Sequence, residues 1–469
     1  MPTSDINLIK GDRISSLTDY RDALPVNMYS IQKPILGAKG YMLCYPGLTS
    51  FATGTGRDRG AVYNDRIGQQ YRLSGTSFIQ VNNDGTITNL GTISGTEQAS
   101  LPYSFNTQAI IANNQMFLYD ETNGLVEVTD SDLGDPIDCT WVDGYYFLTD
   151  GEYIYHTDIT DETSIDPLKF ATAEFMPDKS LGVAVTQDDK VLVFGRYTVE
   201  YFVNVASTNF AFQRVATRAQ KIGIVATHAK CEVAGNWYIT GGRKEESLGV
   251  HLLGLGASTK VSSREVDKIL AAYTEPELSG MRMESRMEDN TSFVLIHLPN
   301  ETLCFNATIF AAFGADYSWS ILKTDISGDV SYRGINGVFD ANLGYWVYGD
   351  KFYDTIAKLD NTVFTHYGEA VEWLLYSPLL NMESQSIDEI ELETIPGHTT
   401  TSDATVFVSL TYNGITYGKE WTQLYGAIND YNQRFIIRRL GDVQDMVGFK
   451  FRGATKSRMS FAKFRVTYG

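Results

Sequence analysis

The stretch DGYYFLTDGEYIYHTDITD, Asp143–Asp161, decides the fold. Asp ahead of Gly tolerates the positive φ that a tight hairpin needs. Tyr146 and Leu148, then Tyr153 and Tyr155, alternate as the apolar positions of two strands joined at Asp150-Gly151. The carboxylates then become turn and rim residues rather than a catalytic pair. The same chemistry recurs at Asp84-Gly85, Asn123-Gly124, Asn336-Gly337 and Asn413-Gly414. Between these turns run apolar and aromatic segments such as QAIIANNQMFLYD, DKVLVFGRYTVEYFV and TSFVLIHLPNETLCFN.

A unit of strand, Gly or Asp turn and aromatic strand, recurring roughly every 30–60 residues, suits the blades of a β-propeller. Counting from QQYRLSGTSFIQVNNDG, the repeat gives about six or seven blades. A large β-sandwich is the alternative. One helix stands out, Ser262–Tyr273. There Ser262 and Glu265 form a capping-box pattern, and Val266, Ile269, Leu270 and Tyr273 share one face. Thr274 and Glu277 open a second short turn.

Past His366 the pattern changes. SIDEIELETI puts Ile390 and Leu392 on one face and Glu389, Glu391 and Glu393 on the other. VGFKFRGA and RMSFAKFRVTYG alternate in the same way. The expected fold is all-β: an extended arm over 1–40, a propeller over 41–365 and a C-terminal antiparallel β-sandwich over 366–469. The arm, with LPVNM, is expected to pair with a blade or with a neighbouring copy.

Apolar residues make up 43% of the 469, enough for a large core. No run of apolar residues is long enough for a membrane helix. The opening residues lack a basic head followed by an apolar run, so no signal peptide and a cytosolic origin are expected. Cys44, Cys139, Cys231 and Cys304 lie far apart without CxxC spacing and read as buried, reduced thiols; the sequon at Asn306 then has no consequence.

The six histidines (His156, His228, His251, His297, His366, His398) form no zinc motif. His297, within FVLIHLP, reads as a core residue. TGTGRDRG, Thr53–Gly60, lacks the P-loop lysine and has Arg59 where a dinucleotide fingerprint needs Gly, so it reads as a loop. DSDLGD, Asp130–Asp135, has its glycine one position early for a calcium loop. TYNGITYGKEW lacks the aspartate of a sialidase box. No catalytic apparatus, metal site or cofactor is expected.

The formal charge of −19 argues against gripping nucleic acid by counterion release. The charge is also uneven. Leu73–Leu168 contains sixteen acids and no Lys or Arg, whereas Arg434–Gly469 carries nine basic residues against two acidic ones. Arg438, Arg439, Lys450 and Arg452 are therefore candidates for a subunit or partner interface. Asp143, Asp150 and Asp158 are candidates for an acidic surface lining or rimming a conduit, where walls that do not bind phosphate would not retard DNA.

Several stretches carry a resemblance: DALPVNMYS (Asp22–Ser30), GRYTVEYF (Gly195–Phe202), Val266–Ala307, WSILKT (Trp319–Thr324), YRGINGVFD (Tyr332–Asp340) and Val447–Val466. Together they resemble the packaged-DNA stabilisation proteins, the tail hubs or nozzles, of short-tailed bacteriophages of the Salmonella-phage type. The resemblance is spread over nearly the whole length, is strongest in Val266–Ala307 and is weak over Thr76–Thr163. It implies a non-catalytic component of the virion tail, made in the host cytoplasm. Such a protein forms a homo-oligomeric, hexameric ring beneath the portal and its adaptor. It closes the head after packaging, carries the tail needle and tailspikes, and passes double-stranded DNA without specific binding; no membrane partner is implied. The contrasting reading is a propeller-type glycoside hydrolase or depolymerase.

Overall fold

Aromatic and β-branched strands joined by Asx-Gly turns build seven sheets around one axis. The computed structural model describes residues 2–8, 11–15, 18–173, 175–324, 330–394, 399, 401 and 404–469. Blade 1 runs Asp58–Asn64, Gln69–Ser74, Ser77–Val81 and Ile87–Thr92 from the axis outward. Blade 2 has three regular strands, Gln108–Ala112, Gln115–Asp120 and Gly124–Glu127, and an irregular inner one at 100–103, tied on by bridges from Ser100 to Ile111 and Tyr103 to Gln108. Blade 3 spans Asp138–Val142, Tyr145–Thr149, Ile154–Asp158 and Asp161–Ala171. Blades 4, 5 and 6 begin at their inner strands Ser180–Val185, Lys230–Val233 and Arg282–Glu288.

Blade 7 closes the ring with strands from two distant parts of the chain. Gly334–Asp340, Tyr345–Asp350 and Thr355–Asp360 are completed by Gly47–Thr53, antiparallel to the last of them. Leu48 on that early strand is fully buried beside Leu359 and Tyr348. Blade 7 then continues past Gly47–Thr53, through Thr365–His366, into one sheet of the sandwich: Glu369–Tyr376, Met446–Thr455, Thr405–Thr411 and Glu420–Leu424.

The second sandwich sheet holds Gln385–Thr394 between Phe435–Val443 and Ser460–Tyr468. Its other strands come from the beginning of the chain. Thr3–Asn7 pairs with Ser460–Tyr468, and Met28–Ile31 pairs with Tyr41–Cys44. These early strands lie on the sandwich, where the edge of Ser460–Tyr468 offers them a ladder, while the LPVNM segment pairs with blade 6 as expected of the arm: Val26 bridges Ile321 of Trp319–Leu322, and the Asn27 N–H donates to the Ile321 carbonyl at 2.8 Å. The two sheets enclose Trp373, Ile390, Leu392, Phe449, Phe451, Phe461 and Phe464. Each such side chain contributes about 1.5–3 kcal/mol of burial. Asn27, in the left-handed region at φ 50°, locks the junction. Its Nδ2 donates to the Glu372 carbonyl at 2.7 Å and its Oδ1 accepts from the Lys323 N–H at 2.8 Å.

Three local readings change. The first helix starts one residue later, at Arg264, with Ser263 as its cap; Ser262 Oγ instead donates to Asp267. Asn336-Gly337 is a bulge inside an inner strand, because Asn336 turns its amide onto Asp58 at 2.7 Å. Tyr153 lies in the turn, edge-on to Phe170, since the strand begins only at Ile154.

Candidate functional surfaces and the axial polar cluster

The four basic candidates of the sandwich fall on its two opposite outer faces. In Phe435–Val443 a bulge turns Arg438 and Arg439 both outward, with Arg439 at φ 61°. Arg438 Nε donates to Glu389 at 2.8 Å. Among the described residues Arg439 has no carboxylate within ion-pair reach. Lys450 and Arg452 alternate with the buried Phe449 and Phe451 on the other sheet. There Arg452 forks onto Glu420 at 2.7 and 2.6 Å and covers the Phe407 ring. Its hydrogen bonds hold the Glu420 carboxyl below its ordinary range.

Much of the basic character of these strands is answered inside the chain. Arg434 meets Glu391; Lys463 and Arg465 meet Asp5 at 2.7 and 2.8 Å; and Arg465 reaches Glu393 at 3.0 Å. The glutamates of SIDEIELETI thus form the central row of a cross-strand charge ladder.

The acidic candidates separate as well. Asp143 occupies the turn after the inner strand of blade 3, at φ 50°, and accepts from Asn204 of blade 4 at 3.1 Å. Asp158 lies at the same end and pairs with Lys169 at 2.8 Å. Asp150 sits at the other end of Tyr145–Thr149 and accepts the N–H groups of Glu152 and Tyr153 at 2.9 and 2.7 Å. These three carboxylates are not gathered into the facing pair a glycosidase uses. Asp130 is likewise occupied by the backbone N–H groups of Asp132 and Ile165.

The four thiols are free and buried, and burial pushes Cys44 and Cys304 up to about 12. His398 lies outside the described residues. TGTGRDRG is the bend from the closing strand into blade 1. Its Arg59 is buried and donates to the carbonyls of Gly75, Ile93, Ser94 and Glu97.

The densest polar constellation lies where the inner strands begin. Arg72 is buried against Asp58 at 2.8 Å and donates to the Val347 carbonyl of the neighbouring blade 7. Asp138 takes the Lys230 ammonium at 2.7 Å, the Ser100 hydroxyl at 2.5 Å and the Val183 N–H at 2.9 Å, joining blades 2, 3, 4 and 5. Burial raises the Asp138 carboxyl, but Lys230 and its other donors outweigh this and leave it below its ordinary value. Glu284 meets His297 at 2.9 Å and accepts the Gly337 N–H at 3.0 Å. Above these groups opens a funnel of about 700 Å³, lined among others by Arg57, Glu97, His228, Glu277, His297 and Lys351. The local signal for this cluster was a charge between buried neighbours, such as Arg72 between Tyr71 and Leu73.

Two family models match the chain. "Bacteriophage P22 Gp10, beta-propeller" covers residues 4–364 and "Bacteriophage P22 Gp10, beta-sandwich" covers residues 372–469. The "Tail hub protein gp10" of Salmonella phage P22 is 28% identical over 480 residues, which is 98% of each chain. Among solved structures, a virginiamycin B lyase from Staphylococcus aureus is 12% identical, covering 68% of this chain and 99% of that one at a TM-score of 0.43. The N-terminal domain of Nup159 is 8% identical, covering 72% and 98% at a TM-score of 0.42.

Proposed function

The chain belongs to the bacteriophage P22 Gp10 family in both its propeller and its sandwich, and from that premise we propose that it is a structural tail hub that closes the head of a short-tailed phage after DNA packaging. The observation that carries this reading is the match to a tail hub over 98% of both chains. In this reading copies of the chain form a ring, hexameric by expectation, between the portal adaptor and the tail needle and tailspikes. The ring's lumen conducts the DNA, and the protein performs no catalysis.

The construction of the monomer supports such a role. A shared sheet and the Asn27 node couple the propeller to the sandwich, so load on one part passes to the other. A ring larger than a dimer also needs two different, complementary surfaces on each copy. The acidic sector of blades 2 and 3 and the outward Arg438–Arg439 bulge are the pair we assign to that contact. Lys450 and Arg452, held by Glu420 on the opposite face, serve a second partner.

Electron microscopy of the purified chain with its portal and adaptor tests the reading. Rings that include this chain are expected. Arg439→Glu, which breaks no ion pair within the subunit, is expected to weaken ring formation, most at low salt; the double variant with Arg438→Glu should weaken it further. A chain that stays monomeric beside its connector and cleaves host polysaccharide overturns the hub reading.

A further inference from the structure

In a chain of net charge −19, two buried cations stand at and behind the funnel floor without a direct ion pair: Lys351, which lines it, and Arg282, which does not. Arg282, at the start of the inner strand of blade 6, faces His297 on the next strand, and His297 faces Thr302 on the third. From blade 7, Lys351 reaches across this row and donates to Thr302 Oγ1 at 2.8 Å. Among the described residues neither Lys351 nor Arg282 has a carboxylate within ion-pair reach. Arg282 contacts the Ala99 carbonyl at 3.3 Å and His228 Nδ1 at 3.2 Å, while its Nε is buried without a partner.

The nearby carboxylates are already committed. Asp58 belongs to Arg72, Asp138 to Lys230, Asp350 to Arg333, and Glu284 to His297 and the Gly337 N–H. Burial has driven the Lys351 ammonium down to about 7 and His297 to about 4. Removal from water is the leading cause of both shifts, and the attraction of Glu284 on each, with Asp350 on Lys351, does not offset it. Lys351 and His297 line the 700 Å³ funnel, within the size range of small-molecule sites.

We propose that Lys351 and His297 on the funnel floor, backed by Thr302 and Arg282, form a binding subsite for a small oxyanion of the phosphate or carboxylate type. The anion enters through the mouth between Arg57, Glu97 and Glu277. It accepts hydrogen bonds from the two ammonium hydrogens of Lys351 that Thr302 leaves unused, while Thr302 and His297 hold that ammonium in place. Arg282 supports it electrostatically from the axis side. Occupied, the subsite draws blades 6 and 7 together beside the strand that closes the ring. It does not depend on the hub reading, because all its residues belong to one copy of this chain.

The test is phosphate binding to the full chain, measured by titration calorimetry, with chloride at matched ionic strength as the control. Saturable phosphate binding that chloride does not mimic is expected. Lys351→Met removes the charge without adding volume and relieves a buried cation, so the variant should fold. It should bind phosphate about ten-fold or more weakly, the scale of one lost charge-assisted hydrogen bond. Thr302→Val tests the row from its other end and should weaken binding less. Phosphate effects equal to those of chloride, or undiminished binding in a folded Lys351→Met, overturn the proposal. So does tungstate that locates elsewhere in a soaked crystal.

Discussion

At the scale of single residues, the buried charges at the axis do what hydrophobic burial cannot. Each fixes its partner blade at one position, since a carboxylate shut away from water must find its cation. Lys230→Met strands Asp138 among Ser100, Val183 and the axis, and breaking a buried pair from one side costs about 3–5 kcal/mol. Urea unfolding should show that loss at neutral pH. The pH dependence follows from Asp138. Its carboxyl is depressed in the fold, so its contribution is complete above the ordinary value of 3.8 and disappears as pH falls through the lower folded value. The gap between wild type and variant should therefore narrow in that acid window; a gap constant down to pH 2 would refute the assignment. These residues were hard to see in the sequence. Arg72 shows only as a charge between Tyr71 and Leu73, Asp138 and Lys230 sit in ordinary strand contexts, and only the ring brings those two together from blades 3 and 5. The surface acids were easier, because Asp143 and Asp150 announce turns through the glycine that follows each.

At the scale of elements, the hairpin rhythm was readable because a tight turn needs a positive φ, which the glycine supplies after Asp84, Asn123, Asp143, Asp150 and Asn413. It misled once, at Asn336-Gly337, where the same dipeptide makes a bulge that feeds the axis. The closing strand Gly47–Thr53 carried no comparable signal, since its partner lies about 300 residues further on and either strand alone looks like any other. Nor did the early strands Thr3–Asn7, Met28–Ile31 and Tyr41–Cys44 announce that they complete the sandwich. The closing strand makes a direct prediction. Leu48→Ala removes a fully buried side chain between Leu359 and Tyr348 and should cost about 2–5 kcal/mol. Amide exchange should rise first in Thr355–Asp360 and in the inner strand of blade 1, which the closure holds beside blade 7. Uniform acceleration over all blades would mean that the ring does not open at this seam.

At the scale of the whole molecule, the acidic sector acquires two distinct ends. Asp143 and Asp158 share one and Asp150 marks the other, so one face at most can look into a DNA conduit at close range. If the Asp143 end does, Asp143→Lys should slow DNA release from otherwise normal particles by adding a phosphate contact, while Asp150→Lys should leave release unchanged. Asp158 is a poorer probe, because Lys169 would then face a second lysine. Equal release kinetics for wild type, Asp143→Lys and Asp150→Lys would place both ends away from the DNA. The ring closure also has a consequence in time. Gly47–Thr53 leaves the ribosome early but has no partner until Thr355–Asp360 has been synthesised, roughly 15–60 s later at ordinary elongation rates. Thr3–Asn7 waits longer still, for Ser460–Tyr468. A nascent chain therefore cannot present a closed propeller or a complete sandwich while it is still being translated. Interrupted translation products lack both seams, so they are left for proteolysis instead of being built into a particle.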